Sequence, residues 1–198
     1  MQAMKRKRFL LFEHLEARRV LSSIYYIANT GSDSSGDGSA GHPFATIQHG
    51  ATIAKPGDTV DVQPGQYAGF VLGWDVPQGG TASAPITYKA EPGATIVSRN
   101  NKTADGIDLE PGDSYVNIVG FTVNNASGSI TRAGIRVTGS DHVNVIGNTA
   151  SGNGTWGIFT AFSNYTLIQN NVASNSISQH GIYVSNSADH PSVIGNTV

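Results

Sequence analysis

The stretch HGIYVSNSADHPSVIGNTV (residues 180–198) carries the pattern that decides the fold. Gly181-Ile182-Tyr183-Val184 is followed by a polar turn and then by Val193-Ile194-Gly195-Asn196. The same pair of phrases occurs upstream as Gly157-Ile158-Phe159-Thr160 with Leu167-Ile168-Gln169-Asn170, and as Gly134-Ile135-Arg136-Val137 with Val145-Ile146-Gly147-Asn148. Gly106-Ile107-Asp108-Leu109 with Ile118-Val119-Gly120-Phe121 opens the series. The leading glycines fall 28, 23 and 24 residues apart, a period that marks stacked coils.

Side chains alternate across a strand, so Ile107/Leu109, Ile135/Val137, Ile158/Thr160 and Ile182/Val184 share an inward face. One coil cannot bury that face alone; the next coil covers it. A buried aliphatic side chain contributes about 1.5–3 kcal/mol, against about 1–2 kcal/mol of backbone entropy per ordered residue. Only several coils together are stable. The sequence therefore predicts an all-β chain, a right-handed parallel β-helix. Fifteen asparagines, all but Asn29 beyond residue 99, suit its tight turns. Asn148, Asn170 and Asn196 are expected to stack as an Asn ladder, as are Asn153 and Asn175.

Residues 1–23 differ from the rest. Six of the twelve Lys and Arg residues lie between Lys5 and Arg19, around a short apolar run, Phe9-Leu10-Leu11-Phe12. From Ile24 a first strand is expected, then a Gly-rich loop. A short capping helix over FATIQHGATIA (44–54) follows, with Pro43 near its start and Phe44, Ile47, Ala51 and Ala54 on one face. The net charge of −2 argues against a nucleic-acid partner, and no apolar run is long enough for a membrane span. With no Cys, a disulfide framework and a Cys-liganded zinc site are excluded.

Two resemblances attach to these residues. FEHLEARRVLS (12–22) resembles the LEPR-type leader of exported planctomycete proteins, which implies a secreted or cell-surface location; the usual Pro is replaced by Ala17. Residues 24–68, with their PGDTV and PGQY phrases, and APITYKAEPGATIV (84–97) resemble secreted pectate-lyase-like proteins, and the likeness extends through residues 24–198. The domain reading is thus a leader (1–23) and a β-helix (24–198), with a cap region (24–68) and coils (84–198). The repeat breaks off at Val198 without a closing segment, so the coils are expected to be incomplete, truncated at the C-terminus. End-to-end self-association through an uncapped last coil is expected to follow.

The outward residues Asp108, Arg136, Phe159 and Tyr183 would form one column at about 4.8 Å per step, similar to the spacing of sugars in an extended polysaccharide. Aromatic faces stack on sugars, and Arg136 can pair with a uronate carboxylate. The plain alternative is an Asp108–Arg136 surface pair with aromatics covering exposed sheet. Resemblance to pectate and alginate lyases implies β-elimination on an acidic polysaccharide, which needs a neutraliser and a base. His180, beside Trp156 of the preceding coil, and Tyr183 are the expected proton handlers, and Arg136 the carboxylate partner. Asp108, Phe159 and Trp156 are expected to bind substrate. Calcium-dependent members of such families gather carboxylates, but Asp105, Asp108, Glu110 and Asp113 within ADGIDLEPGD do not make a clear Ca²⁺ site, so no metal ligand is assigned. Lys89 and Lys102 are expected to lie away from the column. A non-catalytic adhesive β-helix and a uronan epimerase are the alternative functions.

Overall fold

The computed structural model describes residues 22–75 and 77–198 of the chain. The leader expected over residues 1–23 lies outside the described residues except for Ser22 and Ser23. The remainder winds into a parallel β-solenoid of about five turns with a single short helix, as the repeat predicted.

Three parallel sheets run along the axis. The first holds Ile24–Ile27, Thr59–Val62, Ile86–Ala90, Val116–Val119, Asn144–Ile146, Leu167–Gln169 and Ser192–Ile194. The second holds Phe70–Leu72, Ile107–Leu109, Ala133–Thr138, Trp156–Ala161 and Ile182–Ser185. Gly65–Ala68, Ala94–Ser98, Thr122–Asn124, Thr149–Ser151 and Val172–Ser174 form the third. Five coils contribute one strand to each sheet, and Ile24–Ile27 and Ser192–Ile194 extend the first sheet at its two ends; each strand pairs with its counterpart one turn away. Ile107, Leu109, Ile135, Val137 and Ile158 are fully buried between the sheets, and Ile182 and Val184 pack against them. Early coils fill the interior with Phe70 stacked on Tyr88 at 5.1 Å and tilted against Phe121 at 5.8 Å.

The repeating glycine has a steric cause. A Cβ on Gly106 would stand 2.6 Å from the Gly134 carbonyl oxygen, and one on Gly157 would stand 2.6 Å from that of Gly181. Successive coils touch there, so a side chain would push them apart.

The helix starts later than expected, at Ile47–Ile53, because Thr46 accepts the amide of His49 and caps it. Asp33 holds that cap in place by accepting from the Thr46 amide and hydroxyl. Phe44 is buried but lies ahead of the helix, bridged to Ile27. The helix is fastened to the first strand of the second sheet through Gln48, whose amide exchanges two hydrogen bonds with the Val71 backbone.

The asparagine alignment differs from expectation by one residue. Asn171, not Asn170, lies between Asn148 and Asn196: Asn148 Nδ2 donates to Asn171 Oδ1 at 3.0 Å, and Asn171 Nδ2 to Asn196 Oδ1 at 3.0 Å. Asn170 instead takes a left-handed turn at φ 55°. Asn175 stands opposite Gly152, since Ser151 pairs with Ser174, and so is not aligned with Asn153.

Asn171 accepts from both the amide and the side chain of buried Asn148. Asn171→Ala is expected to cost about 2–3 kcal/mol in urea unfolding, because buried donors lose their acceptor. Asn170→Gly, at a position that tolerates glycine, should change stability by less than about 1 kcal/mol.

Candidate functional site

The outer face of the second sheet carries the expected column. Strand pairing puts Val71 beside Asp108, Asp108 beside Arg136, Arg136 beside Phe159, and Phe159 beside Tyr183. The Gly-Ile-x-Val phrase produces this directly: two inward apolar residues leave the residue between them pointing out.

The column divides into an ionic half and an aromatic half. In the ionic half, Arg136 Nη1 donates to Asp108 Oδ1 at 2.8 Å and to Glu110 Oε1 at 3.0 Å. Arg132, just ahead of the same strand, clamps Asp105 through Nε at 2.9 Å to both carboxylate oxygens and through Nη2. Asp105 also accepts the Ala133 amide and the Thr103 hydroxyl, so its partners are all supplied by the fold. Asp108 has no exposed surface, and its Oδ2 has no hydrogen-bond partner; Arg132 Nη2 lies 3.7 Å away. Burial and the adjacent Asp105 carboxylate push the Asp108 carboxyl upward, against the Arg136 guanidinium that pulls it down. Three carboxylates thus share two guanidinium groups.

In the aromatic half, Trp156 stacks on Phe159 with ring centres 4.4 Å apart, and Phe159 meets Tyr183 at 5.8 Å. His180 lies against Tyr183 at 5.2 Å, and the Trp156 indole donates to Gln179 Oε1 at 3.0 Å. His180 is exposed, Tyr183 is 36% exposed, and Trp156 and Phe159 are half-buried. The result is an apolar shelf with a phenol and an imidazole at its open side.

The Pel9A-like, right handed beta helix region matches residues 25–190. The chain belongs to this Pel9A-like β-helix family. Among solved structures it is similar to the crystal structure of pectate lyase Pel9A, with TM-score 0.66 and 19% identity, covering 88% of this chain and 46% of that one. A rhamnogalacturonan lyase is similar at TM-score 0.50 and 16% identity, covering 89% of this chain and 62% of that one. The chain therefore spans less than two thirds of either relative. No curated protein matches the sequence.

Within this Pel9A-like region, the structure brings Trp156, Phe159, His180 and Tyr183 together and places Arg136 two strand steps, about 9.6 Å, from Tyr183. It corrects Asp108 as a direct substrate ligand: a carboxylate with no exposed surface reaches a ligand only through Arg136. The ionic half does not fit Ca²⁺, because Asp105, Asp108 and Glu110 each already pair with a guanidinium group, and the unpartnered Asp108 Oδ2 is buried with Arg132 Nη2 3.7 Å away. Among the described residues no group of three His, Cys, Asp or Glu side chains is placed to hold a metal ion.

Two features were missed. Lys102 was expected away from the column, but it lines a cleft of about 340 Å³ together with Val71 and Trp74. At the corner between the second and first sheets, Tyr115, His142, Tyr165 and His190 stack at 4.7, 4.8 and 4.9 Å, all at positive φ. The recurring SY, DH, NY and DH pairs at those positions were a legible sign of the second feature.

At the corner that follows the Ile107–Leu109 strand, Asp113 is fully buried and burial pushes its carboxyl to about 6 from 3.8. The folded state then binds this proton more tightly than the unfolded one. The contribution is fully present below pH 3.8 and is lost as pH rises to about 6. Asp113→Asn should remove a stability slope of up to about 1.4 kcal/mol per pH unit in that window. Urea unfolding of both proteins from pH 4 to 8 checks this; parallel curves would contradict the assignment.

Proposed function

We propose that the chain is a secreted or cell-surface β-helix that binds acidic polysaccharide along the outer face of its second sheet. The observation that carries this reading is the in-register column from Asp108 to Tyr183, in which a buried carboxylate orients Arg136 and an aromatic shelf continues the same line. Trp156 and Tyr183, whose rings stack 6.1 Å apart, offer apolar faces to the C–H side of a sugar ring, and Phe159 packs against both. Arg136, with its side chain 15% exposed, directs its free donors at a uronate carboxylate. The similarity to lyase structures favours the same class of ligand.

Cleavage by β-elimination is the second reading, favoured by the pairing of His180 with Tyr183. In it, the base at the aromatic end removes the proton beside the uronate carboxylate. The electron pair forms the new C=C bond as the glycosidic C–O bond breaks, and a proton passes to the departing oxygen. Arg136 stands about two strand steps away. It would hold the carboxylate of a neighbouring sugar and fix the register of the chain, while the reacting sugar rests by Tyr183. In an epimerase the same base would act and the proton would return to the carbon.

Affinity electrophoresis in gels containing polygalacturonate, alginate or a neutral glucan tests binding. Retardation only by the acidic polymers, weakened about tenfold by Tyr183→Ala or Arg136→Gln, is the expected result; no retardation by any of them overturns the reading. Ultraviolet absorbance of the unsaturated product, with and without added Ca²⁺, separates the second reading. A rise that His180→Ala abolishes supports elimination, and a flat trace with retained binding removes it and leaves the adhesive and epimerase readings, which solvent deuterium incorporation into the polymer separates.

A further inference from the structure

We propose that the cleft at the N-terminal end of the same face is a separate subsite for an acidic sugar, with Trp74 as its platform and Lys102 as its carboxylate partner. This rests on the polysaccharide-binding reading and extends it to the length and charge pattern of the ligand.

Position is the first argument. Val71 belongs to the column, one strand before Asp108, and it lines the cleft. The line from the cleft to Tyr183 thus crosses four strand steps, about 19 Å. A single extended chain of about five sugars would touch both ends. The cleft continues into a larger one of about 570 Å³ beside the capping helix; the two share Gln48, Thr52 and Asn101.

Chemistry is the second argument. Trp74 is a large aromatic side chain with 47% of its surface exposed, in the loop that leaves the first strand of the sheet. Lys102 Nζ sits 5.9 Å from the centre of its ring. Lys102 has no ion pair with any described residue, in contrast to Lys89, Arg132 and Arg136. Asp75 also lines the smaller cleft, and Asp33 the larger one, but Asp33 is already held by the Ala45 and Thr46 amides. Lys102 Nζ lies over one face of the indole, so a sugar ring stacked on the other face of Trp74 brings its carboxylate within reach of an ammonium that has no ion pair with a described residue.

The loop presenting Lys102 is built, not loose. Buried Asn100 accepts from the Lys102 and Thr103 amides at 2.8 and 2.7 Å and donates to Thr103 Oγ1 and the Asp105 carbonyl. Asp105 is locked in turn by Arg132. The ionic half of the column therefore fixes this loop as well as Arg136, and one network sets the distance between the two subsites.

The two tryptophans of the chain, Trp74 and Trp156, report on the two ends separately. Single-tryptophan proteins, Trp156→Phe and Trp74→Phe, are titrated with oligogalacturonates of two to six units and with neutral cello-oligosaccharides of equal length. Pentamers and hexamers of galacturonate should move the Trp74 signal, and the neutral series should not. Lys102→Gln should weaken hexamer binding at least tenfold while dimer binding read by Trp156 is unchanged, and Lys102→Arg should restore most of it. A Trp74 signal unmoved while Trp156 saturates overturns the second subsite alone. Silence at both tryptophans overturns it together with the binding reading.

Discussion

The structure depends on one constraint: each coil must satisfy the backbone hydrogen bonds of the next in strict register. Within the sheets the parallel ladders do this unaided. At the corners the ladder is interrupted, and side chains supply acceptors alongside the backbone bonds that continue there, such as Gly120 to Ile146 and His142 to Asn164. Asn148 accepts the Phe121 amide, Asn171 the Asn148 amide and Asn196 the Asn171 amide. At another corner Ser140 accepts the Asp113 amide, Ser163 the Ser140 amide, and Asp141 the Asn164 amide. Buried backbone donors left without partners would cost about 1–3 kcal/mol each, so polar residues at these places are structural before they are anything else.

The same constraint dictates what the surface can hold. A side chain on one coil faces its counterpart on the next at about 4.8 Å, so like charges in one column repel and opposite or aromatic neighbours persist. Asp108 next to Arg136 and Asp61 next to Lys89 both obey this. The two pairs differ in consequence. Lys89 is exposed, and its pairing with Asp61 at 4.0 Å contributes little. Asp108 is buried, so removing Arg136 would strand a carboxylate that already resists ionisation. That network holds an arginine at the surface and a loop beside it, and it ties the fold to the face proposed to bind sugar.

The coils were legible because the pattern that builds them repeats: Gly, an inward aliphatic, an outward residue, another inward aliphatic. The outward column followed from the same phrase. Where the repeat is imperfect, linear reading slipped. Asn170 and Asn171 are adjacent, and only the backbone shows that Asn170 turns left-handed while Asn171 points inward. Pro43 suggested a helix start, but the Asp33–Thr46 contact from a distant loop moved it. Trp74 follows Val71 closely, but Lys102 lies in a loop outside the repeat, so no spacing brings it beside Trp74. Burial of Asp108 was hidden for a different reason: a charged residue between two apolar ones reads as solvated, and only Arg136, Arg132 and Asp105 packed around it close it off.

The central claim is that residues at equivalent places in consecutive coils stand side by side on one flank. The chain contains no Cys, so engineered pairs report without background. Air oxidation of Phe159→Cys/Tyr183→Cys, compared with Phe159→Cys/Val184→Cys, measures this directly, because a disulfide requires Cα atoms about 4.4–6.8 Å apart with side chains on the same face. The account predicts rapid intramolecular bridging of the first pair and none of the second, whose side chains point to opposite faces. Equal bridging of both, or preference for the second, would contradict it.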